Sequence, residues 1–184
     1  GEPATCVVWY RYADKNKHLS MIMQSEYRNY HQRSKNIENL KQMVAFCENQ
    51  IECRRVKVLE YFGEMFDPVQ CNFQCDNCKN NRRCTFEDRD VSDLARQVYN
   101  VVDENPSTNM TLIQLIDVLK GGKANAIQKF KNAKGFGVFE GVKKVTKPEL
   151  DRIIKKLITT GYLEDDIEVN MHGGVTSYLR SKKP

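Results

Sequence analysis

The feature that most constrains this chain is a cluster of thiols in a segment with nothing else to fold around. Cys71, Cys75 and Cys78 form the pattern Cys-x3-Cys-x2-Cys, three thiols within eight residues. The surrounding residues, 67–83, are polar and lack hydrophobic periodicity. They cannot bury enough apolar area to offset the entropy of becoming ordered. Something else must hold them. Cys75-Asp76-Asn77-Cys78 is a CxxC knuckle, and that spacing lets two sulfurs reach one ion about 2.3 Å away. A structural zinc takes four ligands in a tetrahedron. Cys53, Cys47 and Cys84 compete for the fourth place. Cys47 falls on the apolar stripe of a predicted helix and reads as core. Cys84 follows Arg82-Arg83 and lies close in sequence. Cys53 sits at a predicted helix start, where partial positive charge favours a thiolate. Spacing alone leaves the choice open. No His or Glu is placed to leave an open coordination position, so the metal is expected to be structural. A redox CxxC would sit beside a βαβ unit, and no such pattern is visible.

The chain has seven cysteines, an odd number, and opens on Gly1-Glu2-Pro3 with no basic and apolar leader. Metal binding or free thiols are therefore expected ahead of a disulfide framework. The missing initiator Met reads as the start of a piece of a longer polypeptide. No apolar run approaches the roughly 20 residues of a membrane span, so no membrane partner is expected. The net charge is +5 and the pI about 8.8. By itself that is a weak pointer to nucleic acid. Its distribution says more. Residues 120–156 carry eleven Lys and Arg against Glu140, Glu149 and Asp151. Residues 60–93 are richer in Asp and Glu.

Two halves meet near residues 85–90. The first opens on the β-prone run Cys6-Val7-Val8-Trp9-Tyr10, with Trp9 and its aromatic neighbours expected in a core. A short helix is expected over 18–24, and a loop or helix end over 25–34. Ile37, Leu40, Met43, Val44 and Cys47 fall at helical spacing over 36–48. Asn49 and Glu52 resemble a capping box opening the next helix, with Cys53, Val56, Leu59 and Phe62, stopped at Gly63. These two helices are expected to form an antiparallel hairpin. His18 and His31 receive no role.

The second half reads cleanly. Val91, Leu94, Ala95, Val98, Val101 and Val102 make one stripe. Thr111 caps a helix with Leu112, Leu115, Ile116 and Leu119, ended by Gly121-Gly122. Residues 125–134 are expected to be helical and basic, and 135–141 a loop or short strand. Thr146-Lys147-Pro148-Glu149 is a capping box with Pro in the first turn. Leu150, Ile153, Ile154, Leu157 and Ile158 follow at strict helical spacing, closed by Gly161. Ile167 and Val169 alternate with Asp166 and Glu168 as a strand. The turn 170–174 leads to a returning strand over 175–179. The expected fold is mainly α with a small β wing: a zinc-stapled helical hairpin, then a winged helix.

Cys47-Glu48-Asn49-x3-Cys53-Arg54-Arg55, then Tyr61-Phe62-Gly63-Glu64, then Cys71 and Cys75-Asp76-Asn77-Cys78, resembles the zinc-binding region of RecQ-family DNA helicases, most of all the Bloom-type members. The likeness covers nearly the whole chain. It implies three parts: 1–14 leading in from the second motor lobe, 15–86 the hairpin with its zinc module, and 87–184 the RecQ-C-terminal winged helix. It implies the ligand set Cys53, Cys71, Cys75 and Cys78, and so chooses Cys53 by analogy. It also implies a nuclear parent enzyme that unwinds DNA 3′ to 5′ with ATP and Mg2+ in its motor. Type IA topoisomerase and recombination proteins are the partners it implies. This chain has no GxxxxGKS/T phosphate cradle, so alone it is expected to bind DNA without hydrolysing ATP.

Phosphate contacts dominate affinity for DNA. The expected contacts are Lys120, Lys123, Asn125, Lys129, Lys143, Lys144, Lys147, Arg152 and Lys155. Gly121-Gly122-Lys123 leads into an expected helix N-terminus that suits a phosphate. Here the chain departs from the family, with Gly122, Ala124 and Ala126 where relatives often carry Ser and Lys. Arg54 or Arg55 is a further candidate for DNA, the other pairing with Glu60 or Glu64. The wing tip, Met171 and His172, is expected to stack on an exposed base pair and part the strands. Two other classes fit less well: a sequence-specific zinc and winged-helix regulator, and a protein-interaction module.

Overall fold

The computed structural model describes residues 4–25, 30–84 and 86–182. The chain divides into two compact units, Gly1–Arg89 and Asp90–Pro184. Among the described residues there are eight α-helices, one turn of 3-10 helix and a single two-stranded sheet.

In the first unit, α1 (Asp14–Gln24) packs on α2 (Tyr30–Glu48). Helix α1 starts four residues before the expected helix. The Asp14 carboxylate accepts from the backbone N–H and the guanidinium of Arg11, which fixes that first turn. Residues 30–34 belong to α2, in a stretch expected as a loop or helix end; 26–29 lie outside the described residues. The run Cys6–Tyr10 is not a strand. A strand needs a partner for its backbone groups, and among the described residues this unit has no other. Trp9 is accordingly 94% exposed, not core. Asn49 also differs from expectation. Its side chain accepts from the N–H groups of Ile51 and Glu52 and builds a local turn. Helix α3 (Arg54–Tyr61) starts later, with Cys53 at its N-cap. Its neighbour is the 3-10 turn Pro68–Cys71, while α2 takes α1 as its main helical neighbour.

The second unit has a true core. Helices α5 (Ser92–Asp103), α6 (Leu112–Leu119) and α8 (Lys147–Thr159) pack against β1 (Leu163–Val169) and β2 (Val175–Ser181), an antiparallel pair with Leu163 opposite Ser181. Val98, Leu115, Leu119, Leu150, Ile154 and Leu163 are almost wholly buried. Each such side chain contributes about 2 kcal/mol by leaving water. Both expected capping boxes are present, Thr111 with Gln114 and Thr146 with Glu149. This is a winged helix. One element is shorter than expected: α7 covers only Asn125–Gln128. The chain then turns to bury Phe130 and Phe139. Residues 135–141 form turns tied to α6, the N–H groups of Gly137 and Phe139 donating to the Val118 and Leu119 carbonyls. Gly135, at φ +80°, lies so close to Val101 that a Cβ there would meet its methyl at 2.4 Å.

Candidate metal centre and nucleic-acid interface

The sulfurs of Cys53, Cys71, Cys75 and Cys78 all lie within 4.8 Å of one another. Cys75 and Cys53 are 4.0 Å apart. A tetrahedron with zinc–sulfur bonds of about 2.3 Å has sulfurs about 3.8 Å apart, so the four thiols fit one ion after a small contraction. Cys47, half-buried on α2, and the exposed Cys84 are not part of the cluster. Three elements deliver the sulfurs. Cys53 opens α3, Cys71 closes the 3-10 turn, and the knuckle opens α4 (Asp76–Asn81), where the Cys75 sulfur accepts from the Cys78 N–H.

Burial pushes the Cys71 thiol up. Hydrogen bonds to its sulfur from the Cys75 and Gln74 N–H groups and from the Cys53 and Cys75 thiols outweigh this and bring it down to about 7. Burial and the three neighbouring sulfurs push Cys78 above the ordinary thiol range. Crowded thiols resist losing several protons at once unless a cation offsets the charge.

A polar clamp brings the distant Cys53 to the knuckle. Asn77, between the knuckle cysteines, is 2% exposed. Its amide donates to the carbonyls of Asn49 and Glu52, at 3.0 and 2.8 Å. One turn on, the Asn81 amide donates to the Ile51 carbonyl at 2.6 Å. Just past Cys53, the Arg54 guanidinium binds the Asp76 carboxylate at 3.0 Å and the Phe46 carbonyl. Sequence reasoning missed Asn77 and Asn81. Their i, i+4 spacing on a short polar helix was the available signal. Replacing Asn77 by Asp keeps the shape but removes both donors and adds a charge facing carbonyls. Metal affinity is expected to fall about 10- to 100-fold, as for other groups that orient ligands. A competition titration against a chelator measures it.

The expected DNA contacts separate into two groups. Lys123, Asn125, Lys129, Lys143, Lys144 and Arg152 are exposed. They come from the α6–α7 link, α7 and its end, the loop before α8, and α8. Lys120 differs from expectation. Its ammonium donates to the carbonyls of Phe139, Val142 and Val145 at 2.8, 3.1 and 3.0 Å. Its three donors are taken up inside the unit, so it ties a loop instead of facing a phosphate. Lys147 pairs with Asp117 at 2.6 Å and Lys155 with Asp151 at 2.8 Å. The expected helix N-terminus after Gly122-Lys123 is a single turn without a side-chain cap. Arg54 is held by Asp76, and Arg55 donates to Gln74, so neither pairs with Glu60 or Glu64 here.

The wing tip is a built turn. The Asn170 carboxamide oxygen accepts from the N–H groups of His172 and Gly174 at 2.9 and 2.7 Å. Met171 stands 97% exposed at its end. At the wing base, Arg180 binds Asp166, the Pro106 carbonyl and the Asn109 side chain.

Two family models match the chain: the RecQ zinc-binding model over residues 12–79 and the RQC domain model over 85–183. The chain is similar to ATP-dependent helicase SGS1 of Saccharomyces cerevisiae, at 30% identity over 98% of this chain and 12% of that protein. It is similar to ATP-dependent DNA helicase hus2/rqh1 of Schizosaccharomyces pombe, at 30% identity over 97% of this chain and 13% of that one. It is similar to RecQ-like DNA helicase BLM of Xenopus laevis, at 27% identity over 98% of this chain and 14% of that one. It thus spans 12% to 14% of the length of these three relatives.

Proposed function

Since this chain belongs to the RecQ family of DNA helicases, we propose that it is the zinc-stapled region that grips duplex and branched DNA and helps to part the strands. The observation that carries this reading is the set of exposed cations Lys123, Lys129, Lys143, Lys144 and Arg152 on the unit that also presents the wing. Cations so exposed suit phosphates, and phosphates supply most of the affinity for DNA. Cys53, Cys71, Cys75 and Cys78 would hold one structural Zn2+. In the parent protein this region would serve a nuclear 3′ to 5′ helicase acting in recombination, replication and repair. ATP and Mg2+ would act in the motor, and a type IA topoisomerase and recombination proteins would be partners. This chain has no phosphate cradle of its own and would bind DNA without hydrolysing ATP.

Fluorescence anisotropy with forked and blunt duplexes at several salt concentrations tests the grip. Affinity is expected to fall steeply with salt and to be indifferent to sequence. The double change K123E/K129E is expected to weaken all duplexes alike and to lower the salt slope by about 2. Preference for one sequence would identify a regulator instead. Flat salt dependence would favour a protein partner.

The wing reading rests on the exposed Met171 at a rigid turn. M171G/H172G in the full-length enzyme is expected to slow unwinding while duplex affinity holds, because a stacked side chain contributes about 1–3 kcal/mol per base. Unchanged unwinding would remove the wedge.

A further inference from the structure

The loop that joins Cys71 to Cys75 carries an exposed aromatic side chain on a left-handed backbone. Only Asn72, Phe73 and Gln74 separate the two sulfurs. The chain turns through two consecutive left-handed residues, Asn72 at φ 47° and Phe73 at φ 57°. Asn tolerates that conformation, but a bulky aromatic residue rarely adopts it. The buried residue of this loop is Cys71, while Phe73, the only aromatic between residues 67 and 84, remains 47% exposed. Its ring is therefore held half-exposed on a strained backbone. Strain kept at an exposed side chain points to a use for that side chain.

The neighbours suggest the use. The Arg82 guanidinium, at the end of α4, lies 4.9 Å from the centre of the Phe73 ring. Arg55 donates to Gln74, the next residue along the loop. Lys79 and Arg83 are exposed on the same short segment. The carboxylates close in sequence are already engaged: Asp76 is held by Arg54, and Asp67 accepts from the Val69 N–H. A half-exposed aromatic ring, stiffened by a guanidinium and set among cations, is the arrangement that stacks a nucleobase and holds its phosphate. Stacking offers no hydrogen-bond code, so every base would be accepted. A base inside a duplex has both faces covered, whereas an unpaired base along a single strand offers one.

The geometry points to a second nucleic-acid site on the metal module: a stacking platform of Phe73 and Arg82, flanked by Arg55, that takes an unpaired base of single-stranded DNA. It rests on the proposed function only in the choice of DNA as the polymer. It sits on a different unit from the cations that carry the duplex reading.

The chain has a single Trp, Trp9. In the 184-residue protein carrying W9F, F73W puts the sole indole on the platform. Titration with an unstructured thymidine oligonucleotide is expected to quench its emission saturably. F73L, which keeps apolar bulk without the ring, and R82Q are expected to weaken single-strand affinity about tenfold. Zinc content and blunt-duplex affinity are expected to stay as they were. K123E/K129E is expected to do the reverse, losing duplex affinity and keeping the quenching. Absent quenching, or F73L that binds single strands as well as the unaltered chain, overturns the platform whatever the duplex does. Equal losses on single strand and duplex overturn it as a separate site. Quenching that persists in a protein with no duplex affinity supports the platform and removes only the winged-helix reading.

Discussion

Withdrawing the metal is expected to unfold the segment around residues 53–84 while leaving the winged helix intact. The reason lies in how each unit buries apolar surface. Among the described residues of the first unit, only Val44, Cys53 and Cys71 are buried hydrophobics, and two of these are cluster sulfurs. Among the described residues no apolar side chain stands at the centre of the module in place of a metal. A structural zinc site of this kind binds with an apparent free energy of about 10–16 kcal/mol near neutral pH, and that binding is folding free energy. The Asn77 clamp and the Arg54–Asp76 pair orient the parts. Several hydrogen bonds at about 1 kcal/mol each do not offset the entropy of ordering some thirty residues. Hydrogen exchange after chelation is expected to show protection lost around residues 53–84 and kept over 92–181. C78S is expected to reproduce it, with the zinc stoichiometry falling from one to near zero. A metal-free protein with the same protection pattern would break the assignment of the cluster as a staple. Acid acts the same way, because protons compete with the metal for sulfur.

The second large effect concerns a residue that looked like a DNA contact. Lys120→Met keeps most of the aliphatic stem and removes the ammonium. The carbonyls of Phe139, Val142 and Val145 then lose the ammonium; the first two keep the N–H groups of Val142 and Val145 as donors, while the Val145 carbonyl keeps no backbone donor. Those carbonyls belong to the loop that runs into Thr146, the cap of α8. Leaving the Val145 carbonyl unpaired costs about 1–3 kcal/mol, and each of the other two lost charge-assisted bonds adds a smaller amount. A loss of about 3 kcal/mol is expected, or about 15 °C in the melting temperature of a unit this size. Duplex affinity, measured below that temperature, is expected to be unchanged. A variant that melts normally but binds duplex more weakly would return Lys120 to the phosphate contacts. Only the position of the ammonium distinguishes the two roles, since a lysine in a basic stretch looks the same in sequence either way.

Much of the second unit was legible because local rules and burial agree there. The stripe Leu150, Ile153, Ile154, Leu157, Ile158 faces the core as its spacing requires, and Thr146 caps it. The hairpin after Gly161 follows from alternation and a turn. Residues 125–134 misled because their basic, helix-compatible composition is weaker than the demand to bury Phe130 and Phe139. In the first unit a small core cannot enforce a pattern. The β-prone Cys6–Tyr10 found no partner strand, and Asn49 satisfied a turn instead of a helix. Propensity is a preference of a few tenths of a kcal/mol per residue, and it yields wherever tertiary contacts ask for something else.

By itself the sequence pointed to a metal for a coreless, thiol-rich segment, offered Cys71, Cys75 and Cys78 as candidate ligands, and placed a winged helix after them. These depend on near neighbours in the chain, where spacing fixes geometry. Spacing left open which distant thiol joins the cluster, a choice made there only by resemblance, and which lysines are taken up inside; the tertiary structure puts the Cys53 sulfur beside the other three and the Lys120 ammonium inside. Cys53 reaches the knuckle because the Asn77 amide, one residue past Asp76, binds carbonyls more than twenty residues away in sequence. Lys120 is occupied because a loop some twenty residues on folds back over it. Both are meetings across the chain, and their energy exists only once the backbone has brought donor and acceptor within hydrogen-bond reach.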